Sequence, residues 1–222
     1  MEYTCKDGIE MLSDVATVII AGIALYYAWR TYGVAKEAKD EWKNEKNLDI
    51  LVRFSKVFPS SKELIVDLRN PYSFDFEHKK GIKLLKERGN HLNEEYQETH
   101  SEFIKIQYRY LKYESYVNEL FNMEYEALFV LGENNAITKY IRFIKKTKED
   151  IFDSALKIGY YKSFNNSDKL TKEEHLQKSK LIREHRKIIF SIGDDQISND
   201  LHNYYSDCES FLKSHQARFK IT

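Results

Sequence analysis

The stretch that decides the fold is VATVIIAGIALYYAW at residues 15–29, which contains no charged side chain. The segment stays mostly apolar when it is widened to residues 9–34, where the charged residues are Glu10, Asp14 and Arg30. A fifteen-residue helix rises about 22 Å, which is short of the roughly 30 Å hydrocarbon core of a bilayer. The wider segment closes this gap. We therefore predict one transmembrane helix at residues 9–34.

Two other structures suit an apolar segment of this length: a core helix of a soluble protein and a helix lying flat in the membrane interface. An interfacial helix needs a polar face, which residues 15–29 lack. The segment also ends in aromatic side chains typical of the membrane–water interface, together with an arginine that can reach the lipid headgroups. The predicted membrane-interface residues are Tyr26, Tyr27, Trp29, Arg30 and Tyr32.

The charges on either side of the span predict its orientation. Before the span the only basic residue is Lys6, whereas lysines recur after it at positions 36, 39, 43 and 46. Cytoplasmic flanks carry the excess of Lys and Arg, so residues 1–8 are predicted to form a short extracytoplasmic tail and residues 35–222 a cytoplasmic body. The predicted location is the cell inner membrane. A cleaved signal peptide is the alternative. Its N-terminal region should be basic, whereas the N-terminal region of this chain is acidic.

Composition agrees with a helical body that does not bind nucleic acid. The chain has 35 Lys and Arg against 35 Asp and Glu, so no net field attracts nucleic acid. Cys5 and Cys208 fall on opposite sides of the predicted membrane and indicate neither a disulfide nor a metal site. Only 8 Gly and 2 Pro occur in 222 residues, which favours long helices over strands.

Apolar residues at alternating steps of four and three predict long helices after the span. One begins near Leu92, a second covers residues 136–158, and a capping box of Thr171 and Glu174 opens a third. A loop is predicted at residues 160–168, and the last helix follows Gly193. The first stripe comprises Leu92, Tyr96, Thr99, Phe103, Ile106, Tyr110, Tyr113, Val117 and Leu120, broadened by Ile104, Tyr108, Leu111, Phe121, Tyr125 and Leu128. The other inward residues are Ile137, Ile141, Ile144, Ile151, Ala155, Ile197, Leu201, Tyr204, Cys208 and Phe211.

The predicted fold class is all-α, with the transmembrane helix continuing into a cytoplasmic antiparallel bundle of long helices. No proline interrupts residues 12–58, and Pro59 is predicted to end the first helix. A second capping box, from Ser60 to Glu63, is predicted to open a short helix through Leu68, with a strand at residues 64–68 as the alternative. Residues 72–78 are predicted to be irregular.

Small side chains form one face of the span and continue beyond it. They follow the same spacing of four and three, and small residues on one face let membrane helices approach closely. We predict that the chain self-associates along this face, although Ala and Thr are also common in such helices. The predicted oligomerisation seam is Thr17, Ala21, Ala24, Ala28, Thr31, Ala35 and Ala38.

Extended towards the N-terminus, the seam reaches Asp14 and then Glu10. In a closed ring of helices these carboxylates would meet and form the cation-attracting mouth of a pore. The helix dipole also explains acidic residues at a solvated helix start, and that interpretation is favoured.

No catalytic or cofactor motif is present in the sequence. P-loop, Gly-x-Gly-x-x-Gly, Gly-x-Ser-x-Gly and His-Glu-x-x-His patterns are all missing, so no catalytic residue, metal or cofactor is predicted. Glu94, Glu95 and Glu98 share a helix face with His91 and are candidate metal ligands, but an acidic solvated face is the favoured interpretation. Two basic clusters are candidates for contact with anionic lipid: Lys79, Lys80, Lys83, Lys86 and Arg88, and Lys145, Lys146 and Lys148.

The N-terminal layout resembles that of a group of known proteins. A short acidic tail, a span ending in LYYAWRTY, the charged helix AKEAKDEWKNEKN and then LDILVRFSKVF cover roughly the first sixty residues. This layout is similar to that of uncharacterised bacterial single-pass membrane-anchored helical proteins, some of them encoded near phage-defence genes. The resemblance implies a membrane-tethered sensor or effector that acts by association or by membrane damage, and it implies no catalytic residue.

Three functional hypotheses follow from the sequence. The leading one is a non-enzymatic, membrane-anchored helical interaction protein that self-associates, as an effector or sensor of a bacterial defence or stress system. Its expected partners are the lipid bilayer, further copies of the chain and a protein that binds the cytoplasmic bundle. The alternatives are a small oligomeric membrane pore, and a soluble helical bundle or helical enzyme with an unrecognised site.

Overall fold

The computed structural model describes residues 5–72, 74–163, 170–191 and 195–219, with side chains described from Thr17 to His215 within these ranges. Every secondary-structure element in these ranges is an α-helix, which confirms the all-α prediction. The chain divides into two compact units, Met1–Leu48 and Asp49–Thr222, called here unit 1 and unit 2.

Helix α1 covers Cys5–Leu68 and contributes to both units. Within the described part of the chain it is the one helix long and apolar enough to cross a membrane, with a mean hydropathy of 1.2 in its most apolar window. This agrees with the predicted apolar N-terminal helix. The large apolar side chains from Val18 to Val34 are exposed.

Pro59 does not end α1, and that prediction is wrong. The helix continues to Leu68, so the separate short helix, its capping box and the alternative strand at residues 64–68 are all overturned. A proline inside a helix removes one backbone hydrogen bond, but the turns after it bury Leu64, Ile65 and Leu68 completely. This burial outweighs the lost hydrogen bond.

Ser61 also acts differently from the predicted cap. Its hydroxyl donates to the carbonyl of Phe58 at 2.7 Å and lies 2.9 Å from the hydroxyl of Tyr140. The Ser61 side chain is therefore fully buried and hydrogen-bonded, which meets the requirement for a polar group in a core.

Unit 2 contains eight further helices within the described residues. The first of them, α2, covers Asp75–Glu87, so the prediction of an irregular segment at residues 72–78 is wrong from Asp75 onwards. The others are α3 (Glu94–Thr99), α4 (Ser101–Leu111), α5 (Glu114–Asn122), α6 (Glu124–Leu131), α7 (Ala136–Ser163), α8 (Lys172–Ile189) and α9 (Gln196–Phe219).

The helix predicted to begin near Leu92 is divided into α3, α4, α5 and α6. The breaks lie at His100, at Tyr113 and at Met123, where no Gly or Pro is present. The apolar stripe is nevertheless largely correct, since Ile106, Val117 and Leu120 are buried. Tyr125 is an exception, because 77% of it is exposed. Short segments can each turn a different face to the core, which one straight helix cannot do.

Helix α7 lies at the centre of unit 2. It contacts α3, α4, α5 and α6, which precede it in the chain, and α8 and α9, which follow it. These contacts are consistent with the predicted helical bundle. The five residues predicted to face inward on this helix, Ile137, Ile141, Ile144, Ile151 and Ala155, are all fully buried. The helix extends to Ser163, so the predicted loop at residues 160–168 begins later, and residues 164–168 lie outside the described ranges.

Aromatic rings join α1, α7 and α9 in the core. The ring of Phe58 lies 5.0 Å from that of Tyr140 and stacks on Tyr205 with 4.2 Å between centroids. Phe54 meets Tyr140 edge to face at 5.9 Å. These contacts attach the second half of α1 to the rest of unit 2 through large apolar surfaces.

Candidate functional site

The predicted oligomerisation seam lies on the unit 1 portion of α1, and all seven of its side chains are exposed. The opposite side of the helix carries Gly22, where an added Cβ would meet no atom within 4 Å. The helix therefore offers small residues on the seam and open space on the far side. The side chains of Glu10 and Asp14, the predicted pore mouth, lie outside the described ones.

The predicted membrane-interface residues are exposed as a group. The side chains of Tyr26, Tyr27, Trp29, Arg30 and Tyr32 are all at the surface of α1. The rings of Tyr26 and Tyr27 meet edge to face at 5.7 Å. Among the described residues of unit 1 these rings stay uncovered, and interfacial anchoring by aromatic side chains requires such exposure.

Two buried arginines of unit 2 were not predicted. Arg109 on α4 is 3% exposed and forms two hydrogen bonds with the carboxylate of Glu77 on α2, at 3.1 and 2.9 Å. It also donates to three backbone carbonyls after or near the end of α1, those of Asp67, Asn70 and Tyr72. Burial opposes the charge of Glu77, but the hydrogen bonds and the charge of Arg109 lower the pKa of this carboxyl.

Arg69 forms the second junction, between the end of α1 and the helices α8 and α9. Its guanidinium donates to the carbonyls of Lys187 and Ile188 and to the carboxylate of Asp195 at 2.8 Å. Asp195 also accepts a hydrogen bond from the backbone N–H of Ser198 near the start of α9. The pKa of Asp195 is lowered because these hydrogen bonds outweigh the cost of its burial.

A third ionic cluster joins α4, α7 and α8. Glu102 accepts hydrogen bonds from Lys162 at 2.7 and 2.8 Å and from Arg186 at 3.0 Å. Burial opposes ionisation of this carboxyl, but the hydrogen bonds and charge of Lys162, assisted by Arg186, lower the pKa of Glu102 to about 2. All three arrangements satisfy the buried charge with several partners, so they hold helices together.

The two predicted basic clusters differ in their surroundings. On α2, Lys79, Lys80 and Lys83 are exposed. On α7, Lys145 is bound to Glu124 at 2.7 Å. Lys148 lies within 6 Å of three aromatic rings, those of Tyr110, Phe121 and Phe152. The α7 lysines are therefore partly engaged within unit 2, whereas the α2 lysines face the surroundings.

No group of three or more metal-binding side chains forms in the described part of the chain. The four residues considered as metal ligands in the sequence, His91, Glu94, Glu95 and Glu98, are exposed in and before α3. This is the arrangement expected of an acidic solvated face.

A cavity of about 450 Å³ lies beside the end of α1. Its apolar wall includes Ile65, Val66 and Leu201, and Tyr72 lies at its edge. Next in the chain, Phe74 and Phe76 stack on each other with 5.6 Å between ring centroids while both remain largely exposed. Exposed aromatic rings next to a cavity form a candidate contact surface.

Comparison with other proteins adds no further assignment. No protein-family model, curated protein or solved structure matches this chain.

Proposed function

We propose that this protein is a membrane-anchored helical interaction protein that self-associates along the small-residue face of α1. The observation that carries the proposal is the exposure of all seven seam residues on a helix apolar enough to cross a membrane. In lipid, helices associate through close packing of small side chains, because lipid tails already solvate the larger apolar ones. The seam provides such a packing surface.

The proposed orientation has the N-terminus outside the inner membrane and unit 2 in the cytoplasm. The lysines at positions 36, 39, 43 and 46 support this orientation. Unit 2 then acts as the part that meets other proteins, and clustering of copies is the output. A role as effector or sensor in a bacterial defence or stress system is the biological setting that the N-terminal layout suggests.

The test starts with membrane fractionation and a high-salt and carbonate wash. We expect the full-length protein to stay in the membrane and to run as a defined oligomer in mild detergent. The double variant Ala24→Leu, Ala28→Leu places two branched side chains on the seam, and we expect it to shift the protein to monomer while helix content by circular dichroism is unchanged.

The matched control places the same side chain on the other side of the helix. Gly22→Leu places the side chain on the side of the helix away from the seam, where it meets no atom of its own chain, so this variant should keep the oligomer. An unchanged oligomer in the Ala24→Leu, Ala28→Leu protein would refute association through the seam. Recovery of the wild-type protein in the carbonate supernatant would refute the anchor itself.

A further inference from the structure

Unit 2 carries a basic aromatic surface, called here the receiving face, defined by Tyr72, Phe74, Phe76, Lys79 and Lys80. Phe74 and Phe76 are 60% and 49% exposed. The ammonium group of Lys80 lies 5.4 Å from the centre of the Phe76 ring. The face therefore combines exposed aromatic rings with positive charge.

The receiving face adjoins the 450 Å³ cavity through Tyr72, which lines it. Val66, on the cavity wall, is also exposed. Arg69 holds the surrounding backbone of α8 in place through the carbonyls of Lys187 and Ile188. A pre-formed cavity next to exposed rings is the arrangement in which a partner's large apolar side chain can be buried.

A second exposed surface lies on α6 and has the opposite charge pattern. Tyr125 and Phe129 are each 77% exposed and stand one helical turn apart. Glu126 and Glu133 flank them with exposed side chains. Residues 113–135 contain five glutamates and no Lys or Arg. This surface is called here the inserting ridge.

We propose that the inserting ridge of one copy docks on the receiving face of a second copy. Tyr125 or Phe129 would fill the cavity, and Glu126 and Glu133 would meet the lysines of α2. Both glutamates already pair with Arg53 and Arg142 of their own chain, but exposed pairs contribute little, so the carboxylates can accept a second cation.

This inference rests on the proposed function, because the shared membrane anchor concentrates the copies. It also goes beyond that proposal: two different surfaces meet, so the contact is heterologous and each copy can bind one neighbour on either side. Such a contact builds rings or open chains of unit 2, independently of which helices meet within the membrane.

The experiment is cross-linking between two full-length single-cysteine proteins mixed in one membrane. One carries Phe74→Cys and the other Tyr125→Cys, both with Cys5→Ser; Cys208 is buried. With a short bismaleimide we expect the mixed pair to cross-link at least about tenfold faster than Phe74→Cys with Leu176→Cys. Leu176 lies on α8 and is nearly as exposed as Tyr125. Equal rates, or a faster reaction of Phe74→Cys with itself, would overturn the proposal.

Charge reversal supplies a second readout. Lys79→Glu with Lys80→Glu should lower the mixed cross-linking rate about tenfold, whereas the same reversal at Lys172 and Lys180 on α8 should leave it unchanged. Equal effects of the two double variants would overturn the proposed pairing of charges.

Single-copy nanodiscs distinguish a second copy from a lipid surface as the occupant. The thiol of Phe74→Cys should be protected from a maleimide label when two copies share a disc, and it should be labelled freely when one copy is present. Protection of a single copy that depends on anionic lipid would assign the face to the membrane and overturn the proposal. The cross-linking rates are also measured in proteins that carry Ala24→Leu and Ala28→Leu in addition. These rates show whether the docking persists when the seam is disrupted, so the docking and the seam are tested independently.

Discussion

Gly159 on α7 packs directly against the ring of His100. A Cβ at position 159 would overlap the imidazole carbons, and that ring is held by stacking on Tyr96 at 4.0 Å and by a hydrogen bond with Thr99 at 2.9 Å. We expect Gly159→Ala to lower the free energy of unfolding by about 1–3 kcal/mol because the ring has to move. Urea unfolding followed by circular dichroism measures this.

The exposed position Glu149 on the same helix provides the control for this glycine. Glu149→Ala changes helix propensity only slightly and should alter the unfolding free energy by less than about 0.5 kcal/mol. If Gly159→Ala were as stable as the wild type, the close contact between α7 and His100 would be incorrect.

Glu102 should make the stability of unit 2 depend on pH. Its pKa falls from an ordinary value of 4.5 to about 2 in the folded protein, so the stabilisation is complete above about pH 4.5 and is lost as the pH falls towards 2. Its size is at most about 3 kcal/mol. We expect Glu102→Gln to be destabilised at pH 7 and to differ little from the wild type near pH 2.

The measurement is the unfolding free energy of both proteins across this pH range. Glu149→Gln, at an exposed position on α7, is the matched carboxylate control and should give parallel curves. A constant difference between Glu102→Gln and the wild type from pH 7 to pH 2 would contradict the assigned role of the ion cluster.

Buried arginines are the residues that the sequence analysis missed. Arg109 falls on the apolar side of the Leu92 stripe, close in helical position to Ile106 and Tyr113, and that placement was a usable signal. Its partner Glu77 and the three backbone carbonyls come from other parts of the chain. Spacing along one helix cannot supply such contacts, so the junction was not predictable.

At the scale of the helix, the start of α8 was predicted correctly in detail. Thr171 accepts a hydrogen bond from the backbone of Glu174, whose carboxylate in turn accepts one from the backbone N–H of Thr171 at 2.7 Å. We expect Thr171→Ala to cost about 1 kcal/mol of stability. The conservative Thr171→Ser should retain most of it, and equal losses in both variants would mean that the hydroxyl does not cap the helix.

The joint between α1, α2 and α4 depends on Arg109. Replacing it by Met leaves the carboxylate of Glu77 buried without its cation, and we expect a loss of about 3–5 kcal/mol. The double variant Arg109→Met, Glu77→Met should regain part of this loss because no charge then remains unpaired. Urea unfolding of the three proteins provides the comparison, and a double variant less stable than the single one would contradict this explanation.

Helix ends were predicted less well than helix faces. Local signals placed a boundary at Pro59 and an irregular segment at residues 72–78, yet α1 continues through the proline and α2 begins at Asp75. In both cases burial decided the structure: Leu68 on α1, and Gly81 and Leu85 on α2, are packed in the core. The apolar face of α2 is short and interrupted by lysines, so its period was easily overlooked.

For the whole molecule, the predicted orientation has a direct chemical test. In intact cells a membrane-impermeant maleimide should label Cys5. Changing the lysines at positions 36, 39, 43 and 46 to Gln should weaken this labelling, because charges within about 20 residues of the span set its orientation. The same change at Lys172, Lys178, Lys180 and Lys187 is the control, and equal losses would contradict the assigned topology.

The whole-molecule features that sequence could predict are those that follow from long repeated patterns. The apolar run at residues 15–29 and the inward residues of α7 depend on many positions together, so single exceptions do not change them. The cavity beside α1 and the exposed rings of Phe74 and Phe76 depend on how separate helices meet. Their position becomes visible only when the fold is assembled.

The thiol of Cys208 can serve as a native probe of how often α9 separates from the rest of unit 2. It is fully buried, it donates to the carbonyl of Ala136 at 3.2 Å, and burial raises its pKa. A thiol-reactive dye can reach it only after α9 has separated from the start of α7. In a Cys5→Ser protein, the rate of its modification under native conditions therefore reports how often this pair of helices opens, at a thiol that the chain already carries.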